Sequence, residues 1–217
     1  MSSERKIEIK VCGMRDYANI MDIASLLPQY FGFIFYPSSP RFVGDEFRIP
    51  PTLPSSIKRV GVFVDESNGN IISKSQWVGF DHVQLHGNES PKQCHSLKKK
   101  GLKIIKVFSV DDDFNFDTTQ PYKKEVDYFL FDTKGKLHGG NAKTFNWNIL
   151  TKYDQEIPFF LSGGLSPENV HETNDLKDMN LHALDLNSGV EISPGIKSKE
   201  KVEQAIRSTR DEERGTK

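Results

Sequence analysis

The chain of 217 residues sets 29 lysines and arginines against 30 aspartates and glutamates, with 36% apolar and 11% aromatic content. That is enough to bury a sizeable core, so one domain over residues 1–217 is the expectation. A net charge of -1 gives no global field for nucleic acid or an anionic membrane, so any anion must be bound locally. Cys12 and Cys94 are too few for a disulfide framework, and Met1 to Lys6 holds no apolar leader; a soluble protein in a reducing, cytoplasmic setting is expected. No apolar run approaches the ~18 residues of a membrane span.

In chain order, β-branched and aromatic runs occupy Ile7 to Cys12, Phe31 to Tyr36, Arg59 to Val64, His82 to His86, Lys103 to Val110, Tyr128 to Asp132, Pro158 to Leu161 and Leu181 to Asn187. Most are apolar at nearly every position, as a strand covered on both faces requires, and such strands belong to parallel sheets. Between them lie helix-cap signals: Asp16 before Tyr17 to Leu27, Ser90-Pro91 before Lys92 to Lys100, Ser166-Pro167 before Glu168 to Thr173, and Ser198 before Lys199 to Arg207. The second crossover, Pro37 to Lys58, contains Pro37, Pro40, Pro50, Pro51 and Pro54 and is expected to be mostly loop. Residues 208–217 read as a charged, frayed tail. Eight strand and crossover units in a chain of this length predict a (β/α)₈ barrel of TIM type. The competing fold, a doubly wound open sheet, usually shows a glycine fingerprint after its first strand, and Cys12-Gly13-Met14-Arg15 is not one.

A barrel carries its chemistry at the C-terminal ends of its strands. Cys12 closes the first run and Asp132 the sixth, so a thiol and a carboxyl group are expected on one rim as a possible base and acid pair. Cys12 read alone is first of all a buried small hydrophobe, whereas Asp132 ends an apolar strand and needs a partner or a polar cavity. Arg41, after the second run, has the planar fork that grips a carboxylate or is an ordinary surface arginine. His86 ends the fourth run, as a polar rim residue, a structural histidine or a partner for Cys12 in thiol catalysis. Cys94-His95 has no second ligand pair at metal-binding spacing, and no metal is expected. The loops Leu161-Ser162-Gly163-Gly164-Leu165-Ser166-Pro167 and Asp185-Leu186-Asn187-Ser188-Gly189 either permit turns or let backbone N–H groups approach a phosphate, which barrels often bind after their last two strands.

Taken together, Lys10-Val11-Cys12-Gly13, Gly32-Phe33-Ile34-Phe35 with Ser39-Pro40-Arg41, Val60-Gly61-Val62-Phe63, Val83-Gln84-Leu85-His86-Gly87, Phe131-Asp132 with Gly139-Gly140, Leu161-Ser162-Gly163-Gly164 and Asp185 to Gly189 resemble the phosphoribosylanthranilate isomerase family of tryptophan biosynthesis. The resemblance implies an Amadori rearrangement of N-(5-phosphoribosyl)anthranilate to an aminoketose phosphate, without metal or organic cofactor, in a monomer or homodimer whose partner is a small phosphosugar. It implies Asp132 as general acid and Cys12 as general base, the latter in surroundings that favour thiolate. It implies Arg41, His86 and Asp185 as substrate-binding residues, and Gly163, Gly164, Asn187, Ser188 and Gly189 as the phosphate site. Gly139-Gly140-Asn141-Ala142-Lys143 departs from the family's Gly-Gly-Ser-Gly-Lys, and Asn187-Ser188 stands where many members carry two serines.

Overall fold

Helix starts in this chain are fixed by side chains that accept from the backbone three residues on. Asp16 takes the N–H of Asn19 and opens α1 (Tyr17–Ala24), Ser67 takes that of Asn70 and opens α2 (Asn68–Val78), and Ser90 takes that of Gln93 and opens α3 (Pro91–Lys98). The computed structural model describes residues 6–133 and 147–211. The 139–143 loop and residues 212–217 of the tail therefore lie outside the described residues.

The strands are β1 (Glu8–Cys12), β2 (Tyr30–Ile34), β3 (Lys58–Phe63), β4 (His82–Leu85), β5 (Lys103–Val110), β6 (Tyr128–Thr133), β7 (Phe159–Leu161) and β8 (Leu181–Leu186). All pair in parallel and in chain order, and β1 pairs with β8, so the sheet closes into a barrel and the open-sheet alternative is excluded. Its interior is filled by Tyr30, Val60, Ile105, Val107, Leu130, Phe160 and Ala183, while a larger apolar layer lies between strands and crossovers. After β8 comes a small antiparallel hairpin, β9 (Glu191–Ser193) and β10 (Ile196–Lys197), and then α4 (Lys199–Asp211). Among the described residues no helix is long and apolar enough to cross a membrane.

The crossovers differ from expectation in their helices. α1 stops at Ala24 rather than Leu27, because Pro28 disfavours helical backbone before it and Leu27 takes a positive φ of 52°. The segment expected as a helix at Glu168 to Thr173 is instead a 3₁₀ helix at Val170–Leu176, and 3₁₀ helices also follow β5 (Phe116–Tyr122) and β6 (Trp147–Lys152). In each of these a threonine hydroxyl donates to the carbonyl three residues back, as Thr119 does to Phe116, Thr151 to Asn148 and Thr173 to Val170. Such local bonds compete with the i to i−4 ladder of an α-helix and suit the tighter turn. The proline-rich second crossover forms no helix, as expected; its Phe47 packs on Phe33 and Phe35.

At the N-terminal mouth, Lys58 donates to Glu8 and to the Tyr30 hydroxyl, and His182 approaches both Tyr30 and Glu8. The hydrogen bond from His182, and then Lys58, hold the Glu8 carboxyl at a pKa of about 2 against the opposing effect of burial. A carboxyl whose pKa is depressed by folding contributes stability that is complete above its unfolded value and lost as pH falls through the folded one. The urea midpoint of the parent should therefore decline as pH drops from ~4.5 toward about 2. Glu8→Gln should be less stable at neutral pH and show a shallower decline across that window, and coincident pH profiles would exclude Glu8 from acid sensitivity.

Candidate active site

Side chains on one face of a strand alternate, so Lys10 and Cys12 both project into the barrel from β1. Cys12 is buried beside Gly32, its register partner on β2. A Cβ on Gly32 would lie 2.7 Å from Cys12 Sγ and 3.2 Å from Lys10 Nζ, so the glycine makes room for both. Lys10 Nζ donates to Asp185 Oδ2 at 2.8 Å, its charge acts on the neighbouring Cys12, and lysine and aspartate are both almost completely buried. The second carboxylate oxygen, Asp185 Oδ1, is buried without a hydrogen-bond partner.

The expected thiolate-favouring surroundings are only half realised. Burial pushes the Cys12 thiol up; Lys10 and the more distant Lys197 pull it down, and the negative charge of Asp185 pushes it up again, leaving it above the ordinary thiol value. Lys10 itself remains an ammonium, because the attraction of Asp185 and Cys12 outweighs its own desolvation.

Asp132 lies near the end of β6 beside Ser109 of β5, with His86 Nε2 at 3.5 Å from its Oδ2. His86 Nδ1 meets Gln84 Nε2 at 3.2 Å, and Gln84 Oε1 is buried without a partner. Asp132 and His86 are both close enough for their charges to act on Asp185, and β8, which carries Asp185, lies in the strand order between β1 with Cys12 and β6 with Asp132. The Cys12–His86 pairing that the sequence allowed is not the arrangement found: the imidazole faces Gln84 and Asp132, and the sulfur faces Lys10.

Arg41 reaches the rim from the loop after β2, and its fork is engaged by a residue to which the sequence alone assigns no role. Nε donates to Glu191 Oε1 at 2.8 Å and Nη2 to Oε2 at 2.7 Å. Glu191 also accepts from Lys197 Nζ and from the Gly195 N–H, and this cationic company keeps its carboxyl below the usual range despite burial. Lys197 in turn donates to the backbone carbonyl and side-chain Oδ1 of Asn187. Since an ammonium is donor only, it fixes the Asn187 amide with its oxygen toward Lys197 and its NH₂ on the other side.

The two glycine loops come together as expected. Gly163 and Gly164 both have positive φ, 95° and 70°, a backbone that turns successive N–H groups toward one concavity. Asn169 braces this loop by accepting from Ser166 N and donating to the Gly164 carbonyl. Gly189 of the β8 loop lies against it so closely that a Cβ would sit 2.1 Å from the Leu165 carbonyl oxygen. Lys10, Lys197, Glu191 and Gln84 are site residues that sequence reasoning missed. A signal existed for Lys10 and Gln84, each a polar residue two positions before a rim residue, Cys12 or His86, on the same face of its strand.

A thiol, two carboxyl groups, an imidazole and a pair of glycine loops on the C-terminal rim are the equipment of an acid–base barrel enzyme. A family model described as N-(5'phosphoribosyl)anthranilate (PRA) isomerase matches residues 9–208. The N-(5'-phosphoribosyl)anthranilate isomerase of Parabacteroides distasonis is 44% identical over 201 residues, with 91% of each chain covered. The crystal structure of phosphoribosyl anthranilate isomerase from Thermotoga maritima superposes with a TM-score of 0.82 at 30% identity, covering 94% of this chain and 99% of that one. A further structure of the enzyme, in complex with reduced 1-(o-carboxyphenylamino)-1-deoxyribulose 5-phosphate, gives 0.79 at 28% identity with the same coverage. The chain belongs to the N-(5'-phosphoribosyl)anthranilate isomerase family.

Gly32→Ala tests the crowding around the thiol. Its methyl would meet the Cys12 sulfur at 2.7 Å and the Cys12 Cα at 3.2 Å, and overpacking of this kind costs about 1–3 kcal/mol. The variant should unfold at lower urea concentration and lose turnover, while Gly69→Ala, where nothing lies within 4 Å, should keep parental turnover.

Proposed function

We propose that Cys12 is the general base and Asp132 the general acid of the isomerisation this family performs. The reaction converts N-(5-phosphoribosyl)anthranilate to 1-(o-carboxyphenylamino)-1-deoxyribulose 5-phosphate, a step of tryptophan biosynthesis. The observation that carries the assignment is their placement: Cys12 ends β1 and Asp132 is the penultimate residue of β6, at the C-terminal rim of one barrel in which β7 and β8, the latter with Asp185, separate the two strands. Asp132 gives its proton to the ribose ring oxygen as the C1′–O bond breaks, and the anilino nitrogen lone pair forms the C=N bond of a Schiff base. Cys12, as thiolate, removes the C2′ proton; the electron pair moves into the C1′–C2′ bond to give the enolamine, which tautomerises to the ketone. The proton transfers are internal to these groups and call for no metal or organic cofactor.

The remaining residues fit the two ends of the substrate. The glycine loops offer the backbone N–H groups of Gly164, Ser188 and Gly189 to the phosphate, joined by the Asn187 amide that Lys197 holds nitrogen-outward. Arg41 reads the anthranilate carboxylate. A guanidinium has five N–H donors and Glu191 engages two of them, so the carboxylate approaches the other edge of a fork already held in place. His86 and the unpartnered Asp185 Oδ1 serve the ribose hydroxyls. A single-domain cytoplasmic enzyme, monomeric or homodimeric, completes the reading.

Freshly prepared phosphoribosylanthranilate, followed by loss of its anthranilate fluorescence, provides the assay. Cys12→Ala and Asp132→Asn should each lower turnover by about 10² to 10⁴, the usual reach of one positioned acid or base, with little change in KM. Cys94→Ser should match the parent, and parental turnover in either of the first two variants removes that residue from the mechanism. Burial holds the Cys12 thiol above its ordinary value, so turnover should climb as pH rises past neutral, and a flat profile in that range argues against a thiolate base.

The anion end is tested separately. Inorganic sulfate should compete with substrate, and Gly164→Val should raise KM, since a side chain at φ 70° is strained and crowds the backbone. Unchanged sulfate inhibition in Gly164→Val would place the phosphate elsewhere.

A further inference from the structure

Within the barrel, Lys10 is the charge that the reaction as described does not use. It is wholly buried, on the inward face of β1, and its register partner across the seam is Asp185. Barrel interiors are filled by layers of branched apolar side chains, and a buried ion pair contributes little net stability compared with apolar residues of the same shape. The Lys10–Asp185 pair is moreover not closed on itself. Asp185 uses one oxygen for Lys10 and leaves the other unpartnered, while the Lys10 head and the Cys12 sulfur both crowd Gly32, at 3.2 Å and 2.7 Å from where its Cβ would stand.

We propose that Lys10 is a positioning residue for the base, with Asp185 behind it, so that Cys12, Lys10 and Asp185 form a thiol–ammonium–carboxylate triad across the β1–β8 seam. This rests on the assignment of Cys12 as base. Removing a carbon-bound proton needs thiolate, and a buried thiolate forms only where a cation meets the sulfur. Lys10 is that cation. Lys197 is a poorer candidate, because its ammonium is committed to Asn187 and Glu191. The charged groups acting on the sulfur are Lys10 from β1, Asp185 from β8, Lys197 from β10 and Arg41 from the loop after β2. Lys10 does not take the substrate proton; that proton ends on sulfur, and Lys10 remains an ammonium throughout. Asp185 fixes the lysine head on the line between the two strands and keeps it charged.

The test reads the thiol directly. In a Cys94→Ser background, the rate at which iodoacetamide alkylates Cys12 is measured against pH, with the modified peptide identified by mass. Lys10→Met should move the alkylation midpoint upward by about one unit or more, which is about tenfold slower alkylation at neutral pH, and lower kcat with little change in KM. Lys10→Arg should keep the midpoint near that of the parent. Asp185→Asn removes a negative charge and should move it downward. The double variant Lys10→Met/Asp185→Asn, which leaves no unpaired buried charge, should still lie above the parent. A merely structural pair would shift both single variants in the same direction, and that result, or an unmoved midpoint in Lys10→Met, overturns the inference. Turnover of Cys12→Ala separates the two claims: if that variant is inactive and the Lys10→Met midpoint is unmoved, Lys10 fails and the base assignment stands.

Discussion

The seam between β1 and β8 sets the register on which both ends of the barrel depend. Two polar pairs cross it: Glu8 approaches His182 at the N-terminal mouth, and Lys10 meets Asp185 nearer the C-terminal rim. In a sheet whose strands are apolar on both faces, little distinguishes one register from the next, and a slip of one residue would reverse every side chain between interior and exterior. A slipped seam would leave Lys10 and Asp185 buried apart, which costs several kcal/mol. The pair therefore selects against wrong closure more than it adds to the stability of the right one. On its other side β1 pairs with β2, and that register puts Cys12 beside Gly32.

The strands were legible because their signal is local. Continuous apolar runs bounded by turn residues mark buried strands, and every expected run corresponds to an observed strand with ends displaced by two residues or fewer. Crossovers were less legible, because a cap residue announces a helix start without fixing the geometry of the turns after it. At Ser166 the turn is taken over by Asn169, and a threonine bond then holds the segment in 3₁₀ form. The site divided in the same way. Residues that end strands, such as Cys12 and Asp132, could be placed from the sequence because topology alone puts strand ends on one rim. Glu191 and Lys197 could not, since their partners Arg41 and Asn187 come from other loops and only the closed barrel brings them together.

The hairpin β9–β10 shows how the late loops are made rigid. Glu191 begins it and Lys197 ends it, and the two meet at 2.7 Å. From that pair one arm reaches Arg41 on the second crossover and another fixes the Asn187 amide. A change in the hairpin would thus be felt at both ends of the proposed substrate, the carboxylate through Arg41 and the phosphate through Asn187. Glu191 holds the Nε and Nη2 edge of the Arg41 guanidinium and so sets which edge faces away from the hairpin.

Charge compensation at the rim explains how a near-neutral chain can take a substrate bearing both a phosphate and a carboxylate. Lys10 is balanced by Asp185, and Arg41 with Lys197 by Glu191. None of these cations forms an open basic patch. In the proposed site the carboxylate meets Arg41, already held by Glu191, and the phosphate meets neutral donors, namely backbone N–H groups of the glycine loops and an amide whose orientation is imposed, for which preorganised dipoles suffice. The compensation has a chemical reason. An uncompensated lysine or arginine beside Cys12 would lower its pKa at all times and make the sulfur a standing target for oxidation and alkylation. With Lys10 paired to Asp185, burial outweighs the cations and the thiol stays above its ordinary value, which protects the sulfur while leaving the Lys10 ammonium near it for the proposed step that needs the anion.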